Sequence, residues 1–264
     1  MERLDTIEEL AAHHGCGLVP TMGALHQGHC SLIEAMRRES DDVVVSVFVN
    51  PTQFNDPADL DRYPRTLEAD LAAAEAAGAT AVFTPPADTI YPLDRETWQP
   101  PLPRVATAPK LEDACRPGHF AGVCKVVARL FDLARPSLAV FGEKDWQQML
   151  VLEAMVAEHP DRWGALQLRR GATIREPDGL ALSSRNALLS PEHRERALGL
   201  SRALAVADDG EAAMRAVLDD HGLETEYAVI RDATTLEATQ VDRPVRALIA
   251  AGLKGIRLID NDAC

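Results

Sequence analysis

Through the middle of the chain the apolar runs are continuous rather than alternating: Val43-Val-Val-Ser-Val-Phe-Val49, Ala81-Val-Phe83 and Leu138-Ala-Val-Phe141. A strand with one wet face alternates, so such runs suit strands covered on both faces. Amphipathic or alanine-rich stretches with helical spacing, 67–77 and 123–134, separate them. This β-α-β rhythm predicts an α/β fold on a parallel, doubly wound sheet. In such sheets ligands lie outside the carboxyl ends of the strands, so the segments just after the strands should carry the chemistry.

Those segments are polar. Pro20-Thr-Met-Gly-Ala-Leu-His-Gln-Gly-His29 follows Leu18-Val19, Asn50-Pro-Thr-Gln-Phe54 follows the second run, and Gly142-Glu-Lys-Asp-Trp-Gln-Gln148 follows Phe141. The first lies between a strand and a helix-like segment, 31–38, where a phosphate meets a helix N-terminus. His26 and His29, three positions apart on the first helical turn, project to one side beside free backbone N–H groups. That set stabilises charge on a triphosphate. On the plainer alternative, Gly23 and Gly28 only shape a turn and the histidines are solvated.

From residue 175 the texture changes. Glu176-Pro-Asp-Gly179 reads as a turn, Leu182-Ser-Ser-Arg-Asn186 follows it, and Ser190-Pro-Glu opens a helix with serine as cap. Helical patterns run to His221, then three strand-like pieces, 225–231, 245–251 and 256–259, lie too close together for βαβ crossovers. The expected layout is a large domain, 1–174, and a smaller α+β lobe, 175–264, hinged to it.

The 264 residues, 46% of them hydrophobic and 26% charged, suffice for a real core. No apolar stretch approaches the roughly 20 residues that cross a bilayer. Met1-Glu-Arg-Leu-Asp-Thr lacks the basic-then-apolar order of a signal peptide, so a cytoplasmic location is expected. Cys16, Cys30, Cys115, Cys124 and Cys264 are scattered and never spaced as CxxC, against a disulfide framework or a zinc knuckle. A net charge of -14 opposes nucleic acid or an acidic membrane as partner. Anionic small substrates fit if Lys144, Arg116 and Arg185 gather.

Neither usual phosphate loop is present, since Gly118-His-Phe-Ala-Gly-Val-Cys-Lys125 only loosely imitates a P-loop and no GxGxxG follows a strand. A histidine pair with a lysine and an arginine from elsewhere suits attack at an α-phosphate, with pyrophosphate leaving. A substrate carboxylate can be the nucleophile there, the protein supplying position and positive charge. Magnesium would bridge phosphate oxygens and keep several waters, with Asp70 a candidate ligand. Zinc on His26 and His29 lacks further ligands nearby, and a serine hydrolase lacks its GxSxG elbow, so Ser183 and Ser184 are read as hydrogen-bond donors. Gln53 and Gln148 suit hydroxyl and carboxylate groups of a small polar substrate, and Asp145 caps a helix over 146–158. Arg116-Pro-Gly-His-Phe120 reads equally well as a turn or as a functional segment, leaving the roles of Arg116 and His119 open.

With these segments in order, the chain resembles the pantoate–β-alanine ligases (pantothenate synthetases) along essentially its whole length. The matching motifs are Pro20 to His29, Phe48-Val-Asn-Pro-Thr-Gln-Phe54, Arg116-Pro-Gly-His-Phe120, Phe141-Gly-Glu-Lys-Asp145 with Gln147-Gln148, and Leu182-Ser-Ser-Arg-Asn186. The resemblance implies a Rossmann-like nucleotidyltransferase domain with an HxGH signature, a lid-like second domain and a homodimer. It implies magnesium and two steps, in which pantoate and ATP give pantoyl adenylate and β-alanine then displaces AMP. At matching positions His26, His29, Lys144 and Arg185 become catalytic and contact the phosphates, with Ser183 and Ser184 beside them. Gln53 and Gln148 hold pantoate near Met22 and Asn50, while Gly142, Asp145, Met22 and Leu182 border the nucleotide. Trp146 stands where the family has tyrosine, Leu182 where methionine is common, and the second lobe is somewhat short. Two other readings stay open. One is a related HxGH nucleotidyltransferase acting on a phosphorylated acceptor. The other is a nucleotide-binding regulatory module without turnover, which should lack one of His26, His29, Lys144 or Arg185, yet all are present.

Overall fold

The computed structural model describes residues 1–54, 57–94, 96–238 and 243–264. Its larger sheet holds six strands, β1 (Glu2–Leu4), β2 (Gly17–Thr21), β3 (Val43–Val47), β4 (Ala81–Phe83), β5 (Leu138–Gly142) and β6 (Gln167–Gly171), in the order β1-β4-β3-β2-β5-β6. Every neighbouring pair is parallel. The apolar runs behave as expected because successive residues feed opposite faces. Leu18, Val44 and Ala139 pack with Val127, Phe131 and Leu152, whereas Val19, Val45 and Val140 pack with Ile33, Met36 and Ala74. Helices His119–Ala134 and Trp146–Ala157 thus cover one face, and Gln27–Glu39 and Leu67–Ala76 the other.

From β2 the chain builds outward through β3 to β4, then returns to place β5 on the other side of β2. The winding therefore reverses between β2 and β5, and the crevice outside their carboxyl ends is where a ligand fits. The edge strands β1 and β6 had no apolar signature to find, because their residues are largely solvent-facing.

The second sheet is antiparallel, β7 (Glu224–Asp232), β8 (Val245–Leu253) and β9 (Ile256–Ala263). One face packs on helices Gly199–Leu204 and Glu211–Asp220 through Leu200, Met214 and Leu218. The other, through Tyr227, Val229 and Leu248, meets Leu111, Trp146 and Leu150 of the larger unit. Trp146 is 5% exposed, donates its indole N–H to the Ala233 carbonyl at 3.0 Å and lies under the Arg246 guanidinium at 3.6 Å. Glu112, 6% exposed, receives both guanidinium nitrogens of Arg257 at 2.8 and 2.6 Å and the Tyr227 hydroxyl at 2.6 Å. Burial pushes the Glu112 carboxyl up, but Arg257 more than offsets this and leaves it below its ordinary value. Ser190 caps helix Pro191–Ala197 as expected, accepting from the His193 N–H at 3.2 Å. Among the described residues no helix is long and apolar enough to cross a membrane.

Candidate active site

The turn after β2 is tied down from below. Asp70, 2% exposed, accepts the Ala24 and Leu25 N–H groups at 3.0 and 2.7 Å and the Thr66 hydroxyl at 3.2 Å. This corrects the expectation of a magnesium ligand: the carboxylate is spent on the loop backbone and does not line the cavity.

The histidines depart from expectation in a second way. His26 is the N-cap of helix Gln27–Glu39: its Nδ1 accepts the Gly28 N–H at 3.1 Å, and the His29 Nδ1 accepts the His26 N–H at 3.3 Å. Two amides expected to be free are thus consumed by the rings, which stack with centroids 4.1 Å apart. Each Nδ1 is an acceptor, so each ring carries its hydrogen on Nε2. Burial, and then the neighbouring charge, lowers both pKa values, that of His29 to about 3. The pair therefore meets an anion as two neutral N–H donors rather than as cations. Because the unfolded His29 has an ordinary value near 6.5, the unfolded chain binds the extra proton as pH falls from 6.5 toward 3. Stability is retained above that window and declines through it; melting temperatures across the window should show a shallower decline in His29→Gln.

The Asn50 turn is held by its own side chain. Asn50, 1% exposed, accepts from the Thr52 hydroxyl at 2.9 Å and the Tyr91 hydroxyl at 2.8 Å, and donates to Gly122 O at 3.2 Å and Gln53 Oε1 at 3.0 Å. Its amide is fully engaged, so Asn50 borders the cavity as the support of Gln53, not as a hydrogen-bonding contact to pantoate. Among the described residues Gln53 Nε2 reaches only the weakly accepting Met22 Sδ at 2.9 Å. Helix His119–Ala134 can approach this turn because residue 122 has no side chain: a Cβ there would sit 2.2 Å from Thr52 O and 2.8 Å from Gln53 N. Gly122→Ala should cost about 1–3 kcal/mol in denaturant unfolding.

The segment after β5 forms the turn Glu143–Asp145, then helix Trp146–Ala157. Asp145 occupies the N-cap position, but its side chain makes no capping bond and lines the cavity instead. Gln147, 3% exposed, turns inward to Val105, Glu112 and Asp113, while Gln148 lines the cavity and bonds to no described residue.

Arg116 and His119, whose roles the sequence left open, belong to the site. His119 Nδ1 donates to Gln53 O at 2.9 Å and Arg116 lies 3.0 Å from its Nε2, while burial and Arg116 lower the His119 pKa to about 4. From the segment after β6, Ser183 Oγ accepts the Arg185 N–H at 3.3 Å, and Ser184 bonds to Tyr63, a residue that carried no sequence signal.

These groups line one cavity of about 240 Å3 at the β2/β5 crevice, including Met22, His26, His29, Gly142, Leu182 and Thr173. A smaller one of about 140 Å3 adjoins it and shares Arg116, Lys144, Asp145, Ser183 and Arg185. Among the described residues neither Lys144 nor Arg185 has an ion-pair partner, and Asp145 is the one carboxylate on the larger cavity. Arg116 has Glu112 at 3.7 Å. Among the described residues the buried Thr173 Oγ1 has no hydrogen-bond partner. Three cations, Arg116, Lys144 and Arg185, against the single carboxylate Asp145 give the cavity lining an excess of positive charge, which a polyphosphate would neutralise.

The chain is similar to known proteins over nearly its full length. A family model described as Pantoate-beta-alanine ligase matches residues 2–263. A pantothenate synthetase of a Nocardioides species is 47% identical, covering 98% of this chain and 82% of that protein. The crystal structure of the Thermus thermophilus pantothenate synthetase superposes with a TM-score of 0.91 at 41% identity, covering 99% of each chain. That of a Francisella tularensis pantoate-beta-alanine ligase, complexed with beta-gamma ATP and beta-alanine, superposes with a TM-score of 0.83 at 32% identity, covering 100% of this chain and 97% of that one. A doubly wound sheet, a cation-lined crevice at its switch point and this similarity agree: the chain belongs to the pantoate-beta-alanine ligase family.

Proposed function

We propose that the cavity at the β2/β5 crevice is where this chain, an ATP-dependent ligase of pantoate and β-alanine, performs both halves of its reaction. In the first, a pantoate carboxylate oxygen attacks the α-phosphorus of ATP, an O–P bond forms, the bridging α–β P–O bond breaks and pyrophosphate leaves. In the second, the β-alanine amine attacks the acyl carbon of the adenylate, the acyl C–O bond to AMP breaks, and a proton passes to water. One observation carries this reading: the uncompensated Lys144 and Arg185, the Nε2–H groups of His26 and His29, and the amides of Gln53 and Gln148 line one cavity.

Lys144 and Arg185 offset charge on the transferring phosphoryl group, with Ser183 and Ser184 donating from the second lobe. His26 and His29 donate to phosphate oxygens as neutral imidazoles. Gln53 and Gln148 hold pantoate, with Met22 beside them and Arg116 adding positive charge near Gln53. Gly142, Asp145, Leu182 and the Thr173 hydroxyl border the nucleoside. Among the described residues no three His, Cys, Asp or Glu side chains cluster to hold a metal. A magnesium ion accompanying ATP would have Asp145 as the carboxylate on this cavity to face it, and its chemistry would be to spread phosphate charge. The lobes 1–174 and 175–264 act as base and lid, closing water away from the mixed anhydride. A cytoplasmic homodimer accords with the family resemblance.

The test is exchange of labelled pyrophosphate into ATP with pantoate present and β-alanine absent. Exchange that requires pantoate supports the adenylate, and no exchange, or release of ADP, overturns it.

A further inference from the structure

Strand β9 carries two adjacent polar residues, Asp260 and Asn261, 2% and 3% exposed, which the steps above do not use. Asn261 Nδ2 donates to the carbonyls of Glu143 at 3.1 Å and Lys144 at 2.7 Å, and its Oδ1 accepts from Arg246. Asp260 receives Arg175 through two nitrogens at 2.6 and 3.0 Å. Arg175 also donates to Gly179 O at 3.1 Å and bridges to Ala181, so it fixes the hairpin that delivers Ser183 and Arg185. Neighbouring residues of one strand thus grip the two segments that face each other across the phosphate region: the Lys144 turn and the Ser183–Arg185 turn.

We propose that the Asp260–Asn261 pair sets the separation of these two segments, with Asn261 the positioning residue for Lys144. The proposal rests on the reading of Lys144 given above. The Lys144 side chain has no ion-pair partner among the described residues, so its backbone decides where the ammonium reaches. One amide thus holds two successive carbonyls of the three-residue turn, so a change at that amide moves both. A displacement of about 1 Å in such a group costs up to roughly 10²-fold in rate.

The experiment is a double-mutant cycle on pantoate-dependent ATP–pyrophosphate exchange. Asn261→Asp, which keeps the shape but turns a carboxylate toward the two carbonyls, should slow exchange roughly 10–10²-fold while pantoate affinity holds within about twofold. In a Lys144→Ala background the same substitution should cost less than about threefold more, because the residue it acts through is gone. Leu218→Ala, in the core of the second lobe and outside the site, gives the control: it lowers stability while the folded enzyme keeps its exchange rate. The proposal fails if Asn261→Asp behaves like Leu218→Ala per folded molecule, or if its full penalty persists without Lys144. Should the carboxylate prevent folding, Asn261→Ser enters the same cycle with the same two readings. No exchange in the wild type would overturn the ligase reading, and this proposal with it.

Discussion

Lys144→Ala lowers the rate of pantoate-dependent ATP–pyrophosphate exchange by roughly 10²–10³-fold, the loss expected for one preorganised charge donor at a reacting centre, with pantoate affinity nearly unchanged. The size follows from its surroundings. Lys144 has no carboxylate partner among the described residues, so nothing is released when a phosphate binds it, and its removal takes away one of the two cations proposed to offset the developing charge, Arg185 being the other. Pantoate affinity is spared on the proposed reading, in which Gln53 and Gln148, not Lys144, hold the acid. Equilibrium binding of pantoate beside the exchange rate separates the two effects. A rate within about tenfold of wild type would place the phosphoryl group elsewhere.

Glu112→Ala lowers the unfolding free energy by about 3 kcal/mol, the lower end of the cost of breaking a buried ion pair by removing one partner. Arg257 keeps a second carboxylate, Glu226 at 2.8 Å, which is why the loss stays at that end. The Tyr227 hydroxyl, 2.6 Å from Glu112 in the wild type, is left without its acceptor and adds to the cost. Because the folded Glu112 carboxyl lies below its ordinary 4.5, the pair contributes its full stability above that pH. The contribution is lost as pH falls through the folded value, and Glu112→Gln should remove that acid-side dependence. Denaturant midpoints at neutral and acid pH measure both effects. An unchanged midpoint for Glu112→Ala would mean that the Glu112–Arg257 pair adds nothing to the contact between the second sheet and the larger unit.

Much of this was legible in the chain itself. The core strands announced themselves by apolar runs that need two covers, and the three C-terminal strands by spacing too tight for crossovers. Edge strands β1 and β6 were not legible, since a strand wet along one edge carries polar residues such as Arg3, Arg169 and Arg170. At the site, residue type and order brought His26, His29, Lys144, Gln53, Gln148 and Arg185 to one cavity. What sequence could not supply was how each polar atom is spent. Asp70 and Asn50 look like ligand contacts until their oxygens and amides are followed into loop backbone. The histidines look cationic until burial and the helix start fix them as neutral donors. Tyr63 comes to Ser184 from a segment with no motif, so only the fold could reveal it.

Trp146 gives the two-lobed arrangement a built-in optical gauge. Its indole is pinned against the second sheet, covered by Arg246 and bonded to Ala233, while Trp98 and Trp163 meet edge to face at 5.7 Å away from that contact. On the proposed base-and-lid reading, parting of the lobes would wet the Trp146 ring and shift its emission to the red, so stopped-flow fluorescence would time the motion without any added label.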